Sequence, residues 1–122
     1  AQGRFDRDSF ALELAAAELT AQSETVRWLT GKAGSLISNG DVYGRRWDEE
    51  RLAPILKSAL EREYHQYLIY LALKEGHASV RDIGERTGLD LLRISRMLSE
   101  MEKTNQAVFK GHHNRAPQFE AA

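Results

Sequence analysis

The chain has 122 residues, of which 42% are hydrophobic and 29% charged, and its formal net charge at pH 7 is −1. This length accommodates one compact domain, or a small domain with a helical extension, and excludes a second independent catalytic domain. The chain has no cysteine, which excludes disulfides, thiolate zinc sites, iron–sulfur clusters and thiol catalysis.

An Ala-rich stretch from Asp8 to about Ile37 predicts a long N-terminal helix. Gly31 and Gly34 weaken its last turns, so the helix is expected to bend or end near Thr30. Asn39-Gly40 is a typical stop. Its apolar side chains recur at helical spacing and predict a packing face: Phe10, Leu14, Ala17 and Ala21.

The segment from Ser38 to Arg46 is predicted to be a loop, and a second helix is predicted to begin near Trp47-Asp48. Pro54 predicts a break, after which it stands in the first turn of a new helix that ends at Gly76. The apolar residues of this helix cover a wide face, which is typical of a central helix packed on several sides: Leu56, Leu60, Tyr64, Tyr67, Leu68, Ile69, Leu71 and Leu73.

Two short helices follow, separated by a turn at Thr87-Gly88. Ser79 is predicted to cap the first, which runs to about Arg86 with Val80 and Ile83 pointing inward. Asp90 is predicted to cap the second. The second helix carries an apolar stripe with Arg93 and Arg96 outside it: Ile94, Met97, Leu98 and Met101.

After Lys103 the pattern changes to "AVFKGHHNRAPQFE", in which Val108, Phe109 and Phe119 flank a turn that contains Gly and Asn. This predicts a two-stranded hairpin. The expected fold class is therefore mainly α with a small β-hairpin. Residues 1–46 are expected to form an N-terminal helical extension for packing or dimerisation, and residues 47–122 a helix-turn-helix domain with a hairpin wing.

The stretch "SVRDIGERTGLDLLRISRMLSEMEKTNQAVFKG" resembles the winged helix-turn-helix of bacterial regulators of the MarR and ArsR kind. The similarity covers roughly Glu61 to Phe119. It depends on a first helix ending in "LALKEG", a second helix "VRDIGERTG", a third helix "DLLRISRMLSEMEK" and a hairpin. The resemblance implies that the third helix lies in the major groove of duplex DNA, that the hairpin contacts the DNA backbone or minor groove, and that flanking helices form a dimer.

Carried over residue by residue, the resemblance implies that Ser95 and Arg96 face the groove, with Arg93 one turn before them. Arginine suits both guanine edges and phosphates. The implied phosphate contacts are Ser79, at the start of the second helix, and the residues expected at the wing tip: Lys110, His112, His113 and Arg115.

Two features depart from the family pattern. Leu91 and Leu92 stand where small or polar groove-facing residues are usual, and exposed leucines there indicate a protein-binding surface. Residues 77–122 carry seven Lys and Arg against six Asp and Glu, which is a small positive excess for a DNA-binding domain. The alternative function is thus a winged-helix interaction module, a subunit or regulatory domain of a larger assembly. The chain also begins at Ala1 without a methionine, which fits a processed chain or a piece of a longer polypeptide; a piece would favour this alternative.

No enzymatic motif is present: the sequence has no Gly-rich phosphate loop, no HExxH and no nucleophile elbow, so neither catalytic residues nor a cofactor are expected. Adjacent His112 and His113 would point to opposite faces of a hairpin, so no metal site is expected. His65, beside Tyr64 and Tyr67, could frame a ligand pocket, but packing in a core or a subunit interface is the favoured interpretation.

The expected partners are duplex DNA and, through the N-terminal helix with Trp28 and Trp47 nearby, a second copy of the chain; a protein partner remains the alternative. The most apolar run, Tyr67 to Leu73, is too short to span a bilayer, and the acidic N-terminus is unlike a signal peptide. These features predict a soluble cytoplasmic protein.

Overall fold

The structure of the chain is a computed structural model, and it describes residues 7–40 and 48–122. Within them, helices precede a single C-terminal hairpin, which confirms the predicted fold class of mainly α with a small β-hairpin. The elements are α1 (Arg7–Gln22), α2 (Glu24–Asn39), α3 (Glu49–Lys74), α4 (Val80–Thr87), α5 (Leu91–Lys103), β1 (Ala107–His113) and β2 (Ala116–Ala121).

The chain divides into two compact units. One unit comprises Ala1–Ala16 and His65–Ala122, and the other comprises Ala17–Tyr64. The predicted domain boundary between residues 46 and 47 lies outside the described residues, as does Trp47.

The N-terminal helix breaks at Ser23, so the prediction of one helix that bends or ends near Thr30 is wrong. Gly31 and Gly34 lie inside α2 without ending it, and both are exposed, so no packing contact depends on a side chain there. Ser23 is buried, and its Oγ lies 3.5 Å from the Val26 N–H and donates a hydrogen bond of 2.7 Å to Glu63 Oε1. A serine whose side chain has these partners favours the start of a helix over its interior. The helix therefore breaks at Ser23 and not near the two glycines.

The packing face of α1 also differs from the predicted stripe. Phe10 and Leu14 are half exposed, whereas Leu12 and Ala16 are buried. Alanine contributes little hydrophobic contrast between one side of a helix and the other, so an Ala-rich sequence sets the phase of the buried face poorly. Trp28 of α2 is 65% exposed in the single chain.

Pro54 lies inside α3 and does not break it, contrary to the prediction. The helix begins after Asp48, whose Oδ1 accepts a hydrogen bond of 2.8 Å from the Arg51 N–H. Pro54 removes one backbone bond, to the carbonyl of Glu50, and both residues are exposed, so water can solvate that carbonyl.

Leu60, predicted on the apolar face, is 43% exposed. The predicted loop from Ser38 to Arg46 lies mostly outside the described residues, and its first two residues belong to α2.

The core of the unit that contains His65–Ala122 brings together α3, α4, α5 and β1. Burying each large apolar side chain of such a cluster stabilises the fold by about 1.5–3 kcal/mol. The buried members are Ile69, Ala72, Leu73, Ile83, Ile94, Met97, Leu98, Met101 and Ala107.

The hairpin is antiparallel, with Phe109 paired to Phe119 and His113 paired to Ala116. Its two-residue turn is Asn114-Arg115, and Gly111, predicted to lie in the turn, belongs to β1 at an irregularity of the register. The Phe119 N–H donates a hydrogen bond of 2.8 Å to the Ala78 carbonyl just before α4. The hairpin is therefore attached to the helical core through both strands, by the buried Ala107 of β1 and by this bond from β2.

No helix within residues 7–40 and 48–122 is both long enough and apolar enough to cross a membrane.

Candidate nucleic-acid interface

The turn between α4 and α5 is built from three local signals in the sequence. Ser79 caps α4, with its Oγ accepting a hydrogen bond of 3.1 Å from the Asp82 N–H, as predicted. Gly88 ends α4 with φ of 77°, a left-handed conformation that glycine adopts without strain. Asp90 then caps α5, and its Oδ2 accepts a hydrogen bond of 3.2 Å from the Arg93 N–H. These caps fix where both helices begin.

The orientation of α5 is set by its predicted stripe, which is buried as expected: Ile94, Met97, Leu98 and Met101. Turning the helix about its axis would expose these side chains, each worth about 1.5–3 kcal/mol. The opposite face must consequently point to solvent, and there Ser95 and Arg96 are exposed. Arg96 makes no hydrogen bond or ion pair with any described residue.

Arg93 differs from Arg96, because its side chain has a hydrogen-bond partner within the protein. It is partly buried, and its Nε–H donates a hydrogen bond of 2.7 Å to Nδ1 of His65, 28 residues earlier on α3. His65 thus has a specific polar partner on the helix that carries the other predicted contacts. Arg93 lies at the edge of the exposed face of α5, and Arg96 lies within it.

The predicted wing residues occupy different parts of the hairpin. His113 and Arg115 are exposed at and beside the turn, in agreement with a tip position. Lys110, however, lies in the middle of β1, where its Nζ is 3.4 Å from a carboxylate oxygen of Glu120 across the hairpin. The prediction that Lys110 stands at the tip is wrong, because the turn falls after His113.

His112 lies on the same face of the hairpin as Phe109. The two rings meet edge to face with centroids 5.3 Å apart, and Phe109 meets Phe119 in the same way at 5.8 Å. Regular alternation would place Phe109 and His112 on opposite faces, and the register irregularity between Phe109 and Gly111 removes that alternation. Across the described ranges, no three His, Cys, Asp or Glu side chains are grouped closely enough to hold a metal ion.

Ser79 is 8% exposed, and its hydroxyl oxygen already accepts the capping bond from Asp82. The capping bond uses only the oxygen and leaves the O–H group able to donate, but burial places this group below the surface. The contact of Ser79 with a phosphate stays a prediction.

Leu91 and Leu92 are 51% and 58% exposed, so both leucines at the start of α5 present apolar surface. Leu91 also approaches α4 closely: a Cβ added at Gly84 would lie 2.6 Å from Leu91 Cδ2. Gly84 therefore lets the two helices come together, and Leu91 covers that approach with part of its side chain. Leu92 has the larger exposed fraction of the two.

Two features of this surface escaped the sequence reasoning. The bond between His65 and Arg93 joins residues far apart in sequence, and no local pattern indicates it. The close approach at Gly84 did leave a signal, since a glycine inside a helical pattern often marks a tight packing point.

Neither a family model, nor a curated protein, nor a solved structure matches this chain. What the chain does has to be inferred from its own residues and their arrangement.

Proposed function

We propose that the chain is a DNA-binding transcriptional regulator of the winged helix-turn-helix type, similar to the MarR and ArsR regulators. α5 would be the recognition helix in the major groove, and the hairpin would be the wing. The observation that carries the proposal is the exposed face of α5, where Ser95 and Arg96 project from a helix whose opposite face is buried. Arginine and serine both donate hydrogen bonds to base edges and phosphates.

The hairpin turn supports the same proposal. Arg115 has φ of 66°, and among the described residues it is the one positive-φ position that is neither Gly nor Asn. A two-residue hairpin turn with positive φ at both positions normally takes glycine second. An arginine tolerated there, exposed and without a hydrogen bond or ion pair to the described residues, is well placed to meet a phosphate.

The proposal extends to the remaining expectations. The chain would act without a cofactor and without catalysis, in the cytoplasm where duplex DNA is the partner. It would act as a homodimer, since a two-fold site on DNA is matched by two copies. The half-exposed Phe10 and Leu14 of α1, one turn apart, supply apolar surface for that contact.

The test is fluorescence anisotropy of a labelled random duplex, titrated with the protein at several salt concentrations. A DNA-binding protein should show micromolar or tighter affinity at low salt and a steep fall of log affinity against log salt. Arg96→Ala should lower the affinity for a selected duplex by about 1–3 kcal/mol if Arg96 contacts a base, and should relax the preference at one position.

The matched control is Arg27→Ala. It removes an exposed arginine of α2, so it changes the net charge equally while leaving α5 intact. An affinity and salt dependence that respond identically to the two substitutions would refute a specific role for Arg96. Absence of wild-type binding at low salt would refute the DNA-binding function as a whole.

The exposed leucines favour a second candidate, in which α5 contacts a protein and the chain serves as an interaction module. Leu91→Asp together with Leu92→Asp would then abolish capture of the partner in a pull-down. The candidate is contradicted if that double variant keeps every partner of the wild-type chain and loses only DNA.

A further inference from the structure

We infer that His65 is a positioning residue for Arg93, and that the pair forms a preset phosphate contact at the edge of the α5 surface. The inference rests on the proposed DNA-binding function and assigns different roles to two arginines of α5. Arg96 would contact bases and Arg93 would contact the sugar–phosphate backbone.

The geometry starts with the hydrogen bond between Arg93 Nε and His65 Nδ1, at 2.7 Å. An Nδ1 that accepts a bond from a guanidinium must offer its lone pair, so the ring proton of the neutral imidazole resides on Nε2. Arg93 then uses one of its five N–H groups for the bond, and the four on its two Nη atoms make no bond to the described residues and can act as a fork.

The bond also explains why Arg93 stays where it is. Arg93 is the third residue of α5, in the first turn, where the positive end of the helix dipole does not favour a cation. A neutral acceptor on α3 offsets this, and it removes rotational freedom that a free arginine would lose on binding.

The place of the pair indicates phosphate and not a base edge. Arg93 is partly buried between the core stripe and the exposed face of α5, and its Nε is turned back toward α3. A side chain at the flank of a recognition helix meets the DNA backbone, whereas the centre of the exposed face, occupied by Arg96, meets base edges.

The experiment is anisotropy on a random and a selected duplex over a range of salt concentrations. The variants are Arg93→Ala, His65→Leu and His65→Asn, with urea unfolding of each as a check of the fold. Arg93→Ala should weaken both duplexes about equally, by roughly two- to tenfold. It should also reduce the salt slope by about one.

The His65 variants separate positioning from packing. His65→Leu should reproduce part of the loss seen with Arg93→Ala, and it should cause no further loss in the Arg93→Ala background. His65→Asn restores an acceptor close to the position of Nδ1, has a helix propensity similar to that of histidine, and should recover wild-type affinity within about twofold. A merely structural role of His65 would not be rescued in this way.

A wild-type protein that binds DNA while His65→Leu binds equally well, or loses affinity additively with Arg93→Ala, would overturn the inference and leave the proposed function standing. Absence of wild-type binding would overturn both. A long-range proton–nitrogen NMR correlation of His65 tests the bond without DNA: a proton on Nε2, and a change at Nδ1 in Arg93→Ala, are expected. A proton on Nδ1 would exclude the bond and with it the inference.

Discussion

Replacing Arg115 by glycine should make the protein more stable and should weaken the proposed binding to DNA. Arg115 is the second residue of the hairpin turn and has φ of 66°, a conformation that strains a residue with a Cβ. Its side chain is exposed and makes no hydrogen bond or ion pair with the described residues, so its removal costs the folded state no such contact. Relief of the backbone strain therefore determines whether the free energy of unfolding rises or falls.

The magnitude follows from two opposing effects. Left-handed backbone costs a non-glycine residue about 1–2 kcal/mol, which Arg115→Gly relieves. Glycine also makes the unfolded chain more flexible, which costs about 0.4–1 kcal/mol. The net gain should be about 0.5–1 kcal/mol in the free energy of unfolding, equivalent to roughly 2–4 °C in Tm for a chain of this length. Loss of the phosphate contact proposed for Arg115 should lower the salt slope of DNA binding by about 0.9.

Urea unfolding followed by circular dichroism measures the first effect, and salt-dependent anisotropy measures the second. Asn114→Gly is the matched control, because Asn114 precedes Arg115 in the turn with φ of 51° and asparagine tolerates this conformation. It should leave the salt slope unchanged and lower the free energy of unfolding by about 0.4–1 kcal/mol, because glycine makes the unfolded chain more flexible and relieves little strain at this position. If Arg115→Gly lowers the free energy of unfolding, or leaves the salt slope unchanged, then strain retained for a phosphate contact is the wrong explanation.

Three further substitutions test the framework that orients α5. Gly88→Ala should lower the free energy of unfolding by about 1 kcal/mol through backbone strain alone, since no described atom beyond the two chain neighbours lies within 4 Å of the added Cβ; a loss well above 2 kcal/mol would indicate a clash. Asp90→Ala should cost about 1 kcal/mol in the same urea assay, whereas Asp90→Asn keeps the cap; equal losses would exclude capping as the cause. Arg86 binds Glu75 through Nε and Nη2 at 2.8 and 3.2 Å, and Arg86→Ala should cost about 1–2 kcal/mol. Arg86→Lys keeps the charge but not the fork, and full recovery by lysine would refute the bidentate geometry as the source of stability.

Local signals predicted α4 and α5 well because each boundary depends on residues close in sequence. The helix ends are set by Ser79, Gly88 and Asp90, which bond backbone groups within four residues of themselves. Their capping effect can therefore be predicted from the local sequence. The apolar stripe from Ile94 to Met101 repeats at helical spacing, and it is the buried stripe of the structure. The exposure of Ser95 and Arg96 follows from that stripe.

The N-terminal helices were predicted less well because their signals are weak or compete. Alanine is nearly neutral between core and surface, so Phe10 and Leu14 could not set the phase of α1 against Leu12 and Ala16. Pro54 predicts a break that α3 does not have, since an exposed carbonyl one turn before it can be solvated. Ser23 ends α1 because its side chain lies near the first turn of α2 and bonds Glu63 of α3, and the second contact leaves no local pattern in the sequence.

By itself the sequence determined the order of α4, α5 and the hairpin, the caps Ser79 and Asp90, and which face of α5 is apolar, because these depend on chain-local hydrogen bonds and on periodicity. Only the tertiary structure decided that Arg93 is tied to His65, that Ser79 is covered and that Lys110 pairs across the hairpin. Each of these depends on which side chains come into contact after the helices pack and the strands pair. Such contacts involve residues from different elements, and hydrophobic periodicity within one element does not predict them.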